Sequence, residues 1–196
     1  MLKAIAFILF AAATIIAGLW AITRAPIEAI NQKEPMPMEI NFDQRLQKDN
    51  AGVPATLEIP SLYLYSPIEE VQIDRNGYLL PPAEITNAAW YGDSKKIGDK
   101  GITLIAGNFD LDTGRAGPFY HVGALQKGDL INLLDLNGKK TTYTVIDKGP
   151  YDWNTNLKSF SEKTDKSRLY LLMYPAHAQQ NANNPVSKTI IYAEKQ

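Results

Sequence analysis

Two kinds of apolar pattern divide this chain. Ala4–Thr23 is a run of 20 positions without a charge; as a helix it is long enough to span about 30 Å of hydrocarbon. Beyond it the apolar positions come in short groups, either alternating or in continuous runs of four to six, which is the signature of strands. Ile102–Ile105 is one such run. It is bounded by Gly101 and Gly107 and ends on Ala106-Gly107-Asn108, so a buried strand is expected to present residue 108 at its outer end, the kind of rigid position where catalytic groups are often held. Here it carries an amide, which has no titratable proton.

The rest of the chain follows the same logic. Leu57, Ile59, Leu62 and Leu64 alternate around Pro60, predicting a strand pair broken at the proline. Asn76-Gly77 predicts a turn, and Ala83–Tyr91 a short helical turn ending on Trp90 and Tyr91. Leu130–Leu134 and Thr141–Ile146 flank Asn137-Gly138, the strongest hairpin signal in the chain. Asn154–Lys166 is polar and predicts loop or short helix. Leu169–Met173 and Val186–Tyr192 complete the strand set. Many short strands with little helix predict a small closed β-barrel. Residues 25–53 mix charge with three prolines and predict a stalk, with a short helix around Phe42–Lys48. The expected organisation is therefore a transmembrane helix at 1–24, a stalk at 25–53 and a barrel domain at 54–196.

Composition narrows the function. A chain of 196 residues, 45% hydrophobic, can bury one good core. A net charge of −1 gives no electrostatic case for nucleic acid. The absence of cysteine excludes disulfides, thiolate metal sites and a cysteine nucleophile. Lys3 and the amino terminus precede the apolar run and Arg24 closes it, which favours a single-pass anchor with the domain outside the cell. The run is longer than the apolar core of a cleaved signal peptide, the alternative reading.

The folded part resembles the sortases, membrane-anchored cysteine transpeptidases. The phrases that carry the resemblance lie between Leu57 and Ala193: LEIPSLYLYSPI, GYLLPP, AAWYGDSKKIGDKGITLIAGN, FDLDTGRAGPFYHVGALQKGDLINL, the Thr142–Val145 strand, RLYLLMY and SKTIIYA. Their order is similar to the class E and class F branches. The resemblance implies an all-β closed barrel with short helices, an extended peptide or surface protein as partner, and neither metal nor cofactor. It also implies three reacting groups: a cysteine that attacks a peptide carbonyl, a histidine that protonates the leaving amine, and an arginine that stabilises the oxyanion.

Carried over residue by residue, these fall on Tyr174, Asn108 and Lys188. All three differ from the family groups. A phenol titrates near about 10 and is a poor acyl nucleophile. An amide cannot transfer a proton. Lysine lacks the planar fork of arginine. The resemblance therefore implies a pseudoenzyme that binds a peptide or a surface partner. The competing reading is an active transpeptidase or hydrolase that uses other residues, such as His177 paired with Tyr174; as a bland alternative, His177 is a solvated loop residue. Trp90, Tyr91, Phe119 and Tyr120, with Tyr63 and Tyr65, are candidates to line a peptide groove or to pack in the core. Asp110, Asp112 and Gly114 faintly resemble a calcium loop without its downstream glutamate, or form an ordinary polar turn.

Overall fold

A computed structural model describes residues 42–111, 115–151, 157–160, 164–174 and 189–196. The chain enters by helix α1 (Phe42–Asn50), where a short helix is expected, and then builds eight strands. These are β1 (Pro54–Ile59), β2 (Leu64–Val71), β3 (Ala88–Tyr91), β4 (Gly101–Asn108), β5 (Leu130–Asp135), β6 (Lys140–Pro150), β7 (Ser167–Tyr174) and β8 (Thr189–Lys195). They close into a barrel in the order β1-β2-β3-β4-β7-β8-β6-β5. Closure leaves no free sheet edge. Leu46–Gln196 forms one compact unit.

Alternation along each strand sorts the apolar residues into two cores. Leu57, Ile59, Ile105, Ile131, Leu169 and Leu171 fill the barrel interior. On the outer face of β3, β4, β7 and β8, Tyr91, Leu104, Leu172 and Ile190 pack beneath Leu79, Tyr151 and Leu157. The pair β4·β7 thus lies between two cores, and every residue of β4 is buried. This explains why both strands read as continuous apolar runs; a parallel pair covered on both faces has no polar side to show.

Proline and glycine punctuation falls where expected at Pro60, which opens a 3-10 turn over Pro60–Leu62 between β1 and β2, and at Gly138, whose φ of 76° closes the β5–β6 hairpin. The segment 83–91 differs from expectation. Its first part does turn, with Asn87 N donating to Glu84 O at 2.8 Å, but Ala88–Tyr91 forms β3, because it pairs in parallel with Ile68–Val71 on one side and antiparallel with β4 on the other, and all four residues are buried. β6 runs past its expected end at Ile146 through a bulge between Val145 and Asp147 into the polar Asp147–Pro150. β8 begins at Thr189, so the expected Val186–Lys188 part of that strand lies outside the described residues. The apolar run Ala4–Thr23 also lies outside them; among the described residues no helix is long and apolar enough to cross a membrane.

Candidate functional site

The site is built at the end of β4. Ala106, Asn108 and Leu104 share the outer face, while Gly107 points inward. A methyl group at 107 would overlap the ring of Phe119, and one at 117 would overlap the carbonyl oxygen of Asn108. The two glycines therefore let the segment after β4 fold back tightly: the Phe119 amide donates to the Asn108 carbonyl at 2.9 Å, and Gly117 N–H donates to Phe109 O at 2.9 Å. Phe119 then seals the barrel end beneath residue 108.

Asn108 is 5% exposed. Its side-chain Nδ2 donates to the carbonyl of Ile85 at 2.8 Å. Ile85 is held in place by Glu69 on β2, whose carboxylate accepts from Ala83 N (2.8 Å), Glu84 N (3.1 Å) and Asn87 Nδ2 (2.8 Å). The bond from Asn87, reinforced by those from the two backbone N–H groups, holds the Glu69 carboxyl below its ordinary value against the opposing pull of burial. Nearby, Ser66 Oγ accepts from Ala88 N at 3.0 Å. The loop that carries Ile85 is thus pinned to β2 at both ends.

Between this loop and the barrel lies a small, shallow cleft, open to solvent. Leu79–Pro82 form one wall; Ala89, Ala106, Gly107 and Asn108 form the rest. Ala89 and Ala106 are direct cross-strand partners, and their small side chains make a floor where neighbouring positions carry Tyr91 and Leu104. The lining is apolar apart from Asn108.

The parallel register of β4 and β7 pairs Asn108 with residue 174. The two strand ends that carry these sequence-nominated positions are therefore adjacent. His177 and Lys188 lie outside the described residues, as do Asp112 and Gly114. Asp110 bridges to Ala116 across the fold-back.

The aromatic candidates separate by burial. Trp90 and Phe119 pack in the barrel interior and Tyr91 in the outer core. Burial, together with the adjacent Asp93 carboxylate, pushes the Tyr91 phenol up. Tyr120 is 43% exposed and stacks on Phe109 at 4.9 Å between ring centroids. Tyr63 and Tyr65 are exposed. Two contributors have no distinctive signal in the sequence: the Ile85 backbone carbonyl, and Glu69, one carboxylate among several on the surface. Pro81-Pro82 was visible as punctuation but not as a wall.

A model of the sortase domain matches residues 57–195. Solved structures agree on the fold. Clostridium perfringens sortase C with the C-terminal cell wall sorting motif superposes with a TM-score of 0.53 at 16% identity, over 74% of this chain and 70% of that one. A lid mutant of sortase A from Corynebacterium diphtheriae gives 0.55 at 17% identity, over 74% and 70%. Sortase C2 of the group B Streptococcus pilus island 1 gives 0.53 at 15% identity, over 72% of each. No curated protein sequence matches the chain.

Proposed function

Since the chain belongs to the sortase family, we propose that it is a pseudo-sortase: a single-pass, membrane-anchored extracellular domain that holds an extended peptide or a surface protein at the Asn108 cleft without cleaving it. One observation carries this reading. The family reaction starts with a cysteine thiolate, and this chain has no cysteine. Asn108, Tyr174 and Lys188 stand at the histidine, cysteine and arginine positions of the class E and class F phrase order. The β4·β7 register supports the first two as neighbours. The third, Lys188, lies outside the described residues.

The commitment of the Asn108 amide to Ile85 supports the same reading. A side chain with no titratable proton, one of whose two N–H donors is held by Ile85, has no proton to transfer to a leaving amine. The cleft retains what binding requires: an apolar floor, a wall on a pinned loop and one polar group.

The test is turnover against binding. Purified full chain is incubated with a sorting-type peptide and an amine acceptor, and products are separated by chromatography. Saturable binding with neither cleavage nor transfer is expected. Turnover that disappears in Tyr174→Phe or His177→Ala would establish the alternative, a transpeptidase or hydrolase working with non-standard residues.

A further inference from the structure

We propose that residues 81–87 form a strap that closes over Asn108 and opens as one unit, with Glu69 as its latch, so that a ligand reaches residue 108 when the strap lifts. The strap stands on its own contacts; that the ligand is a peptide rests on the reading of the cleft given above.

Both ends of the strap are tied to neighbouring strands and turns. Leu80 N donates to Gln72 O at 2.8 Å before it, and Ala88 N donates to Ser66 Oγ at 3.0 Å after it. Between these ends two barrel side chains hold it. The Glu69 carboxylate accepts from Ala83 N, Glu84 N and Asn87 Nδ2, and the Asn108 amide donates to Ile85 O at 2.8 Å. The two anchors are interleaved along the chain, since Ile85 sits between Glu84 and Asn87. The turn that Asn87 N closes on Glu84 O makes this stretch one compact piece, and Pro81-Pro82 stiffens its entry. Such a piece moves whole.

Burial sets how firmly the strap is held. Pro81, Ala83, Glu84 and Thr86 are exposed and Ile85 is half-buried, whereas Ala88–Tyr91 directly after them are all buried. A segment with few buried apolar contacts and hydrogen bonds close to solvent opens at a fraction of the global unfolding free energy. Asn108 is 5% exposed, with the Ile85 carbonyl on its amide. Pro82, in the strap, is also part of the cleft wall. Lifting the strap therefore uncovers Asn108 and widens the cleft in one motion. The closed strap competes with a ligand for residue 108, so the fraction of molecules with the strap open scales the apparent affinity.

Hydrogen exchange, followed by NMR on isotope-labelled full chain, reads each anchor when the other is removed. In Asn108→Ala the Ala83 and Glu84 amides, which keep their acceptor, should exchange about three- to tenfold faster, the worth of one hydrogen bond. In Glu69→Ala the Asn108 side-chain protons, whose Ile85 acceptor is intact, should exchange at least about tenfold faster. Glu69→Gln keeps one accepting oxygen and should fall between; it carries the test if Glu69→Ala does not fold. Leu104 and Ile105 amides exchanging at wild-type rates confirm an unchanged barrel. A sorting-type peptide is then titrated into wild type and the Glu69 variant, and the variant should bind more tightly, by up to the factor gained in opening. An anchor whose exchange ignores loss of the other overturns the strap. Coupled exchange with equal peptide affinity for the two chains overturns its role as a gate. Coupled exchange with no peptide bound by either chain upholds the strap and overturns the peptide-binding reading.

Discussion

At Gly107 the absence of a side chain decides the local structure. The Phe119 ring occupies the space a Cβ would need, so Gly107→Ala forces either the ring or the strand end to move. Overpacking of this kind costs about 1–3 kcal/mol. Denaturant unfolding of Gly107→Ala should show that loss, and Phe119→Leu in the same chain should recover part of it, giving a non-additive pair. Equal and additive losses would place the clash elsewhere. The site residues were legible to the same uneven degree. Asn108 stood out because an apolar run ends on Ala-Gly. Ile85 could not, because it acts through a main-chain carbonyl that every residue possesses. The burial of Trp90, Tyr91 and Phe119 was also hidden, since an aromatic side chain suits a groove and a core equally well until the strand pairing is known.

At the scale of elements, the strands with uniform patterns were visible and those defined by their partners were not. β4, β7 and the β5–β6 hairpin follow from apolar runs and from Asn137-Gly138. β3 is four residues long, and its pairing with both β2 and β4 decides its state more than its own composition does. The junction of α1 with the barrel depends on Asp135, which is 5% exposed. Its carboxylate accepts from Gly52 N at 2.9 Å and from Asn137 N and Lys139 N at 3.0 and 2.9 Å, tying the residues after α1 to the hairpin. Burial works to raise its pKa, but the three backbone donors and the Lys139 charge outweigh it and hold the carboxyl below its ordinary value. A carboxyl lowered in the folded state contributes stability above its unfolded pKa of about 4, and that contribution fades as pH falls through the lowered folded value. Asp135→Asn should therefore cost about 1–2 kcal/mol at pH 7, with the gap to wild type closing in acid. A gap that persists unchanged at pH 2 would mean that shape, and not charge, holds the junction.

Across the whole molecule, α1 and the β5–β6 turn meet at one end of the barrel, where Lys96 Nζ donates to Asp49 O at 3.0 Å. The Asn108 cleft lies at the opposite ends of β4 and β7, which begin near the α1 end at Gly101 and Ser167. The proposed anchor at Ala4–Thr23 predicts that full-length protein pellets with membranes while residues 25–196 remain soluble and folded; a mature protein found free in the medium with a trimmed amino terminus would instead indicate a cleaved signal. The central claim is that this family member keeps the scaffold and has lost the chemistry at positions 108, 174 and 188. Intact-mass analysis tests it directly, with wild type and the triple variant Asn108→His, Tyr174→Cys, Lys188→Arg each incubated with a sorting-type peptide after folding is confirmed. The account predicts an acyl adduct on residue 174 of the variant, dependent on the histidine at 108, and none on wild type. Acyl transfer by the wild-type chain would contradict it.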